Sequence, residues 1–125
     1  MKTINEYLKL KGVKQKRLYT DTPKDKVELD SIILTRISKY GYECDLNDID
    51  VSNITNMSGL FMCSKFNGDI SEWDVSNVTD MNTMFLMSKF NGDISKWNVS
   101  NVKDMKYIFR GCPLEKNPPE WYKNK

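Results

Sequence analysis

The sequence predicts an α/β repeat protein, a short solenoid of three strand–helix coils with a helical cap in front and a short cap behind. Two observations predict this class. Trp73, Trp97 and Trp121 are separated by 24 residues and again by 24 residues. Roughly half of the positions in neighbouring 24-residue stretches are also identical. Self-similarity at a fixed period is the signature of stacked repeats, since one unit cannot bury its apolar side alone.

The copies span residues 45–68, 69–92 and 93–116, and Trp121 begins a truncated fourth pass. We expect the aligned apolar residues to point inward and to form one core when the copies stack. These rows are Ile49, Trp73 and Trp97; Val51, Val75 and Val99; Met57, Met81 and Met105; and Phe61, Phe85 and Phe109.

Each copy is predicted to hold a short strand followed by a helical turn. The stretch from Ile70 to Val78 spaces its apolar residues as L-x-x-L-x-L, and the last members alternate as a half-buried strand requires. Thr79 and Asp80 then offer an N-cap before apolar residues at Met81, Met84 and Phe85, spaced as on one helix face. The pairs Asn67-Gly68 and Asn91-Gly92 are expected to turn the chain, because both residue types tolerate positive φ.

Residues 1–44 are predicted to form an N-terminal helical cap, and residues 117–125 a C-terminal cap, all in one folded unit with the solenoid at 45–116. Residues Thr3 to Glu6 fit a capping box, and Thr22-Pro23 opens a longer helix. The longer helix is predicted to carry an apolar face at Leu29, Ile33, Ile37 and Tyr40 and to end before a glycine cap at Gly41.

Composition excludes much of enzymology. The chain has 125 residues and no histidine, which removes the usual general base and the Ser/His and Cys/His nucleophile pairs. We therefore expect no enzyme and no cofactor. The chain shows no apolar run long enough to span a membrane and no signal-peptide core at its start, so we expect no membrane insertion and a cytoplasmic location. A cell-surface location stays open if an export signal was removed.

The three cysteines are Cys44, Cys63 and Cys112, and none lies in a closely spaced metal motif, so free thiols are expected. The aligned carboxylates Asp45, Asp69 and Asp93 leave two readings. They could hold calcium, which prefers several oxygen ligands, or they could accept hydrogen bonds from the backbone of a turn. The second reading is favoured, and no metal site is predicted.

The motif F-N-G-D-I-S-x-W-D-V-S-N-V-T-D-M-x-x-M-F, carried by residues 66–85 and in a similar form by residues 90–109, resembles the repeat of BspA-like leucine-rich-repeat surface proteins of bacteria. The resemblance implies a leucine-rich-repeat-like solenoid that binds protein or matrix without catalysis. Similar short arrays occur in intracellular and phage-encoded proteins, so a bacterial or phage origin is expected.

The predicted function is a protein-interaction module, an adaptor or inhibitor, that binds a protein partner through the outward rows of the strands. Residues 45–112 carry nine Asp or Glu against six Lys or Arg, so this face is acidic. One alternative is a fragment of a cell-surface adhesion protein. Another is nucleic-acid binding by a basic patch at Lys14, Lys16 and Arg17. The candidate partner-binding residues are Asp48, Asp50, Glu72, Asp74, Lys96 and Asn98.

Overall fold

The computed structural model describes residues 18–123 and corrects the predicted fold class. These residues hold helix α1 (Lys26–Tyr40), a 3-10 helix (Pro113–Glu115) and helix α2 (Glu120–Lys123). They contain no extended β-strand and no sheet, only isolated parallel bridges. The predicted solenoid of three strand–helix coils is therefore wrong. The bridged pairs are Asp21 with Ile49, Asp45 with Asp69, Asn56 with Asp80, and Asp80 with Asp104.

Tight turns stand where strands were predicted. The backbone N–H of Trp73 donates to the Ile70 carbonyl at 3.2 Å, and that of Val78 to the Val75 carbonyl at 2.9 Å. Each bond closes a four-residue turn whose first and fourth side chains are buried. The L-x-x-L spacing predicts a strand in the sequence. In the structure it is the spacing between the first and fourth residues of a turn, whose side chains both point inward.

Side-chain oxygens stabilise these turns in place of a strand ladder. The Asp74 carboxylate accepts hydrogen bonds from the backbone N–H of Ser76 at 3.0 Å and from its hydroxyl at 2.6 Å. Asp and Asn favour this bond to the backbone two residues ahead, and it competes with regular secondary structure. The same backbone bond recurs at Asp45, Asp50, Asn56, Asp69, Asp80, Asp93, Asn98 and Asp104.

The predicted helical turn after Asp80 is replaced by two turns separated by left-handed residues. Thr83 has φ 56° and Met87 has φ 56°, values that an α-helix cannot contain. The same two positions of the other copies are also left-handed, at Gly59, Cys63, Tyr107 and Gly111. Since no α-helical hydrogen bonds form across these residues, the turns do not make an α-helix in any copy.

Gly68 and Gly92 also differ from their prediction, because neither has a positive φ. A Cβ atom on Gly68 would overlap the backbone carbonyl of Cys44. This glycine is therefore required by the close approach of two backbones, and not by a left-handed turn.

Helix α1 forms where the sequence predicts a helix and ends at the expected Gly41, but it begins at Lys26 and not at Thr22-Pro23. Asp25 is the N-cap and accepts from the Glu28 N–H at 3.0 Å, while the Gly41 N–H donates to the Ile37 carbonyl at 2.8 Å. Its buried residues are Leu29 and Ile33. The shorter helix predicted near residues 3–6 lies outside the described residues.

Residues 24 positions apart lie side by side and share one apolar core. The indoles of Trp73 and Trp97 stack with ring centroids 6.4 Å apart, and Trp121 stacks on Trp97 at 6.5 Å. Phe61, Phe85 and Phe109 stack in the same order, and the inward orientation predicted for these residues and for Ile49 is confirmed. The core continues from Leu29 in α1 to Leu114 in the 3-10 helix.

Backbone hydrogen bonds also join successive copies along one side of the chain. We call the N–H groups that make them the donor row. In the first copy this row donates at 2.8 to 2.9 Å, and in the second at 2.7 to 2.9 Å. The donors are Met57, Gly59, Phe61 and Cys63 in the first copy, and Met81, Thr83, Phe85 and Met87 in the second.

Candidate functional site

The outward residues predicted to bind a partner do not form one equivalent row. Glu72 and Lys96 are exposed and lie at a shallow depression that also includes Ser71 and Asp93. The backbone N–H of Glu72 donates to the Asn47 side chain at 2.8 Å, and this bond holds the Glu72 backbone in place. These two side chains therefore stand at the surface as the sequence predicted.

The second row has a structural role in each copy. Asp50, Asp74 and Asn98 each accept a hydrogen bond from the backbone N–H two residues ahead, at 3.0 to 3.1 Å. Asp74 and Asn98 remain exposed, whereas Asp50 is partly buried. An amide oxygen at Asn98 makes the same bond as the carboxylates, so the turn requires an oxygen acceptor and not a charge.

Asp48 belongs to an ion-pair cluster that the sequence did not predict. The Arg36 guanidinium on α1 donates to Asp48 and to Asp21, both at 2.8 Å. It also donates to the Thr20 hydroxyl at 2.8 Å, and that hydroxyl in turn donates to Asp48. We call these four residues the Arg36 cluster.

Hydrogen bonds within the Arg36 cluster favour the charged forms of Arg36 and Asp48, the two members whose pKa values are shifted. The hydrogen bond from Arg36 holds the pKa of the Asp48 carboxyl below its usual range, although partial burial opposes this. The hydrogen bond to Asp48 raises the pKa of Arg36 further above its usual value. This ion pairing suits a structural clamp between α1 and residues 20–21 and 48 better than proton transfer.

A cleft of about 660 Å³ opens beside this clamp and is also lined by Tyr40, Cys44 and Asp45. Its guanidinium and its three carboxylates are already paired within the Arg36 cluster or to the Asn47 N–H. The sequence carried little sign of it, because Arg36 lies among apolar helix residues and its partners are 12 to 16 residues away.

The aspartates considered for calcium serve as turn caps. Asp45, Asp69 and Asp93 accept from the N–H groups two residues ahead at 2.8 to 2.9 Å. Bonds from Ser95 lower the pKa of Asp93. Within residues 18–123, no group of three or more His, Cys, Asp or Glu side chains lies close enough to hold a metal ion.

The cysteines form no disulfide within the described part of the chain, and all three are free thiols. Cys63 is exposed, while burial raises the pKa of both Cys44 and Cys112. The alternative basic patch at Lys14, Lys16 and Arg17 lies outside the described residues. No helix between residues 18 and 123 combines the length and the apolar character that crossing a membrane would require.

Sequence reasoning also missed a basic surface on the third copy. Alignment of the copies would have found it, because Lys103, Lys106 and Arg110 each stand where the earlier copies carry uncharged residues. Tyr107 lies among them and is exposed. The two cations Lys106 and Arg110 lie 5.3 and 5.2 Å from the centre of its ring.

The described residues thus define a protein built of capped turns around a continuous aromatic core, with most of its outward carboxylates engaged in turn bonds. Residues 34–124 match the family described as "Mycoplasma protein of unknown function, DUF285". This match covers more than half of the chain, and the chain belongs to that family. No curated protein and no solved structure gives a significant match to the chain.

Proposed function

We propose that this chain is a non-enzymatic protein-interaction module, an adaptor or an inhibitor, that presents an acidic surface to a basic protein partner. The observation that carries the proposal is the exposure of two neighbouring carboxylates, on Glu72 and Asp74, of which the second is held in place by Ser76. Lys96 and Asn98 extend this surface into the third copy. The absence of histidine from the sequence supports a role without catalysis.

Rigidity is the physical argument for binding at this surface. The Asp74 carboxylate is held by two hydrogen bonds to Ser76, and the Glu72 backbone is held by Asn47. A partner would therefore meet a fixed backbone and one carboxylate, that of Asp74, whose position is already set, and less conformational entropy would be lost on association. Asp48 is not part of the proposed surface, because it is paired with Arg36.

The motif shared with BspA-like surface proteins supports a binding role, and we propose that the family relationship extends to them. The strand–helix coils of those proteins are not part of this proposal. Binding at a cell surface is the second candidate, and the shared motif is the observation that favours it.

The test is to identify a partner by affinity capture from the native host and then to measure its affinity for a neutralised variant, Glu72→Gln with Asp74→Asn. Asparagine at position 74 keeps the turn bond, as Asn98 does in the next copy. We expect more than a tenfold loss of affinity, about 1.4 kcal/mol, and a weaker dependence on salt.

The matched control is Glu43→Gln with Asp104→Asn, which removes the same charge from two exposed residues outside the proposed surface. It should leave the affinity unchanged. Equal affinity of the wild type and the Glu72/Asp74 variant would exclude this surface as the binding site.

A further inference from the structure

The donor row ends at the third copy without the acceptors that it has in the first two. The N–H groups of Met81, Thr83 and Phe85 donate to carbonyl groups of the third copy. The equivalent donors of the third copy are the N–H groups of Met105, Tyr107 and Phe109. Within residues 18–123 these three groups have no hydrogen-bond acceptor. We call these three groups the open donor row.

The last position of the row shows which kind of acceptor can bind such a donor. The N–H of Gly111 donates to the Glu115 carboxylate at a long distance of 3.5 Å. An acidic side chain of the same chain thus takes the place of the missing backbone carbonyl. Buried or half-buried N–H groups without an acceptor are unfavourable, so a ligand that supplies oxygens would be stabilised here.

The charge of the surface changes where the row opens. Position 106 is Lys where the earlier copies have Ser58 and Asn82, and position 110 is Arg where they have Met62 and Leu86. Both cations are exposed and lie over the ring of Tyr107. An acidic ligand is therefore electrostatically favoured at this row and not at the same side of the earlier copies.

A cleft of about 420 Å³ lies against the open donor row. It is lined by Tyr107, Phe109, Arg110, Glu115 and Tyr122, and so it combines aromatic rings with a guanidinium group and with a carboxylate that already accepts from the Gly111 N–H. The Tyr122 ring packs edge-on against Phe109 at 5.2 Å and forms one wall.

We propose that the open donor row binds an acidic polypeptide segment that follows the turned backbone path of the earlier copies. Its carbonyl groups would accept from Met105, Tyr107 and Phe109, as the carbonyls of the next copy do for the earlier rows. In the second copy the acceptors are the carbonyls of alternate residues in a turned segment, Asp104, Lys106 and Ile108, so a segment with the same path can supply equivalent carbonyls. Acidic side chains of the segment would pair with Lys106 and Arg110. This site is separate from the acidic surface around Glu72, and it does not depend on the function proposed there.

The test uses the full chain and a synthetic decapeptide of alternating Glu and Val, blocked at both ends. In the free protein, the amide hydrogens of Met105 and Tyr107 should exchange with solvent faster than those of Met81 and Thr83. Addition of the peptide should slow exchange at Met105, Tyr107 and Phe109, measured residue by residue by NMR. Exchange that stays unchanged at millimolar peptide would overturn the proposal.

Charge reversal provides the second measurement. The variant Lys106→Glu with Arg110→Glu should bind the labelled peptide at least tenfold more weakly, measured by fluorescence anisotropy. The matched control is Lys65→Glu with Lys89→Glu, which makes the same charge change at exposed lysines of the first and second copies. Equal loss in both variants would indicate general attraction and overturn the site, as would retained affinity in the first variant.

A single-stranded oligothymidylate of ten nucleotides distinguishes the other class of anionic ligand. The proposal expects it to bind more weakly than the peptide and to leave the exchange of the open donor row unchanged. Tighter binding of the oligonucleotide would overturn the proposal in favour of nucleic acid. Because the exchange measurement uses the wild-type chain, it holds even if a charge-reversal variant fails to fold.

Discussion

The backbone of Thr83 lies in the left-handed region, with φ 56°. Gly59 stands at the same position of the first copy and Tyr107 at that of the third, and both are also left-handed. A β-branched residue is unfavourable there, because its Cβ approaches the neighbouring carbonyl oxygen. The turn is therefore set by the surrounding hydrogen bonds and not by the preference of residue 83.

This strain gives a prediction opposite to the usual effect of glycine. Left-handed backbone costs a residue with a side chain about 1–2 kcal/mol, and the added freedom of glycine in the unfolded chain offsets about half of that. We expect Thr83→Gly to stabilise the protein by about 0.5–1 kcal/mol. Urea denaturation would measure the change in the free energy of unfolding.

Thr55→Gly is the control, since Thr55 is exposed and is not among the residues with positive φ. It should destabilise the protein by about 0.5–1 kcal/mol. If both glycine variants lowered the stability equally, position 83 would not be strained.

Helix α1 is held to the rest of the chain by apolar contacts and by the Arg36 cluster. Leu29 and Ile33 reach the core, while Arg36 bridges to Asp21 and Asp48. The sequence predicted the helix and its glycine end correctly, because an apolar face and Gly41 are local signals, but it placed the start at Thr22-Pro23 and not at the Asp25 cap. It could not predict the ion pairs, because these depend on how separate segments meet.

The Arg36 cluster predicts how stability depends on pH. Because the folded pKa of Asp48 is lowered, its contribution is complete above the unfolded pKa of about 3.9 and is lost as the pH falls through the folded value. We expect Asp48→Asn to be about 1 kcal/mol less stable at pH 7, with a difference that shrinks below about pH 4. Thermal unfolding from pH 7 to pH 3 would measure it.

Asp50→Asn is the matched control, since it removes the charge of a neighbouring aspartate and keeps the acceptor for the Ser52 N–H. It should lose clearly less stability at pH 7. A difference between wild type and Asp48→Asn that stayed constant down to pH 3 would contradict the role assigned to the ion pair.

The turns of the repeats show why local reading failed for the other elements. Val75 and Val78 are both buried, as a strand face requires, but they are the ends of one turn. The apolar pattern therefore located the inward residues and not the backbone path. The bond from the Ser76 N–H to the Asp74 carboxylate stabilises that path. From the sequence, such a bond is expected only at Asp45, Asp69 and Asp93, as the alternative to calcium binding.

For the whole molecule, stability rests on one core that runs through all three copies. Trp73 and Trp97 are each 4% exposed, and their indole N–H groups donate to the carbonyls of Leu46 and Ile70 at 2.9 and 3.1 Å. The 24-residue period was sufficient to predict both positions. The candidate site was predicted less well, since Glu72 and Lys96 are exposed as expected but Asp48 is engaged.

We expect Trp73→Ala and Trp97→Ala each to destabilise the protein by about 3–5 kcal/mol, because each leaves a cavity and removes one of the two hydrogen bonds that a buried carbonyl accepts. This is a large part of the stability of a small domain. Urea denaturation followed by far-ultraviolet circular dichroism would measure it. A loss below about 1 kcal/mol in either variant would show that the core can close around the missing indole.

The parallel indoles also make the protein its own optical probe. Trp73, Trp97 and Trp121 lie within 10° of parallel in each stacked pair, with centres 6.4 and 6.5 Å apart. At such separations the excited states of neighbouring rings couple, so the chain absorbs and emits as a stacked chromophore and not as three isolated tryptophans. Any event that shifts one copy against the next by a fraction of a ring width will change that spectrum without an added label.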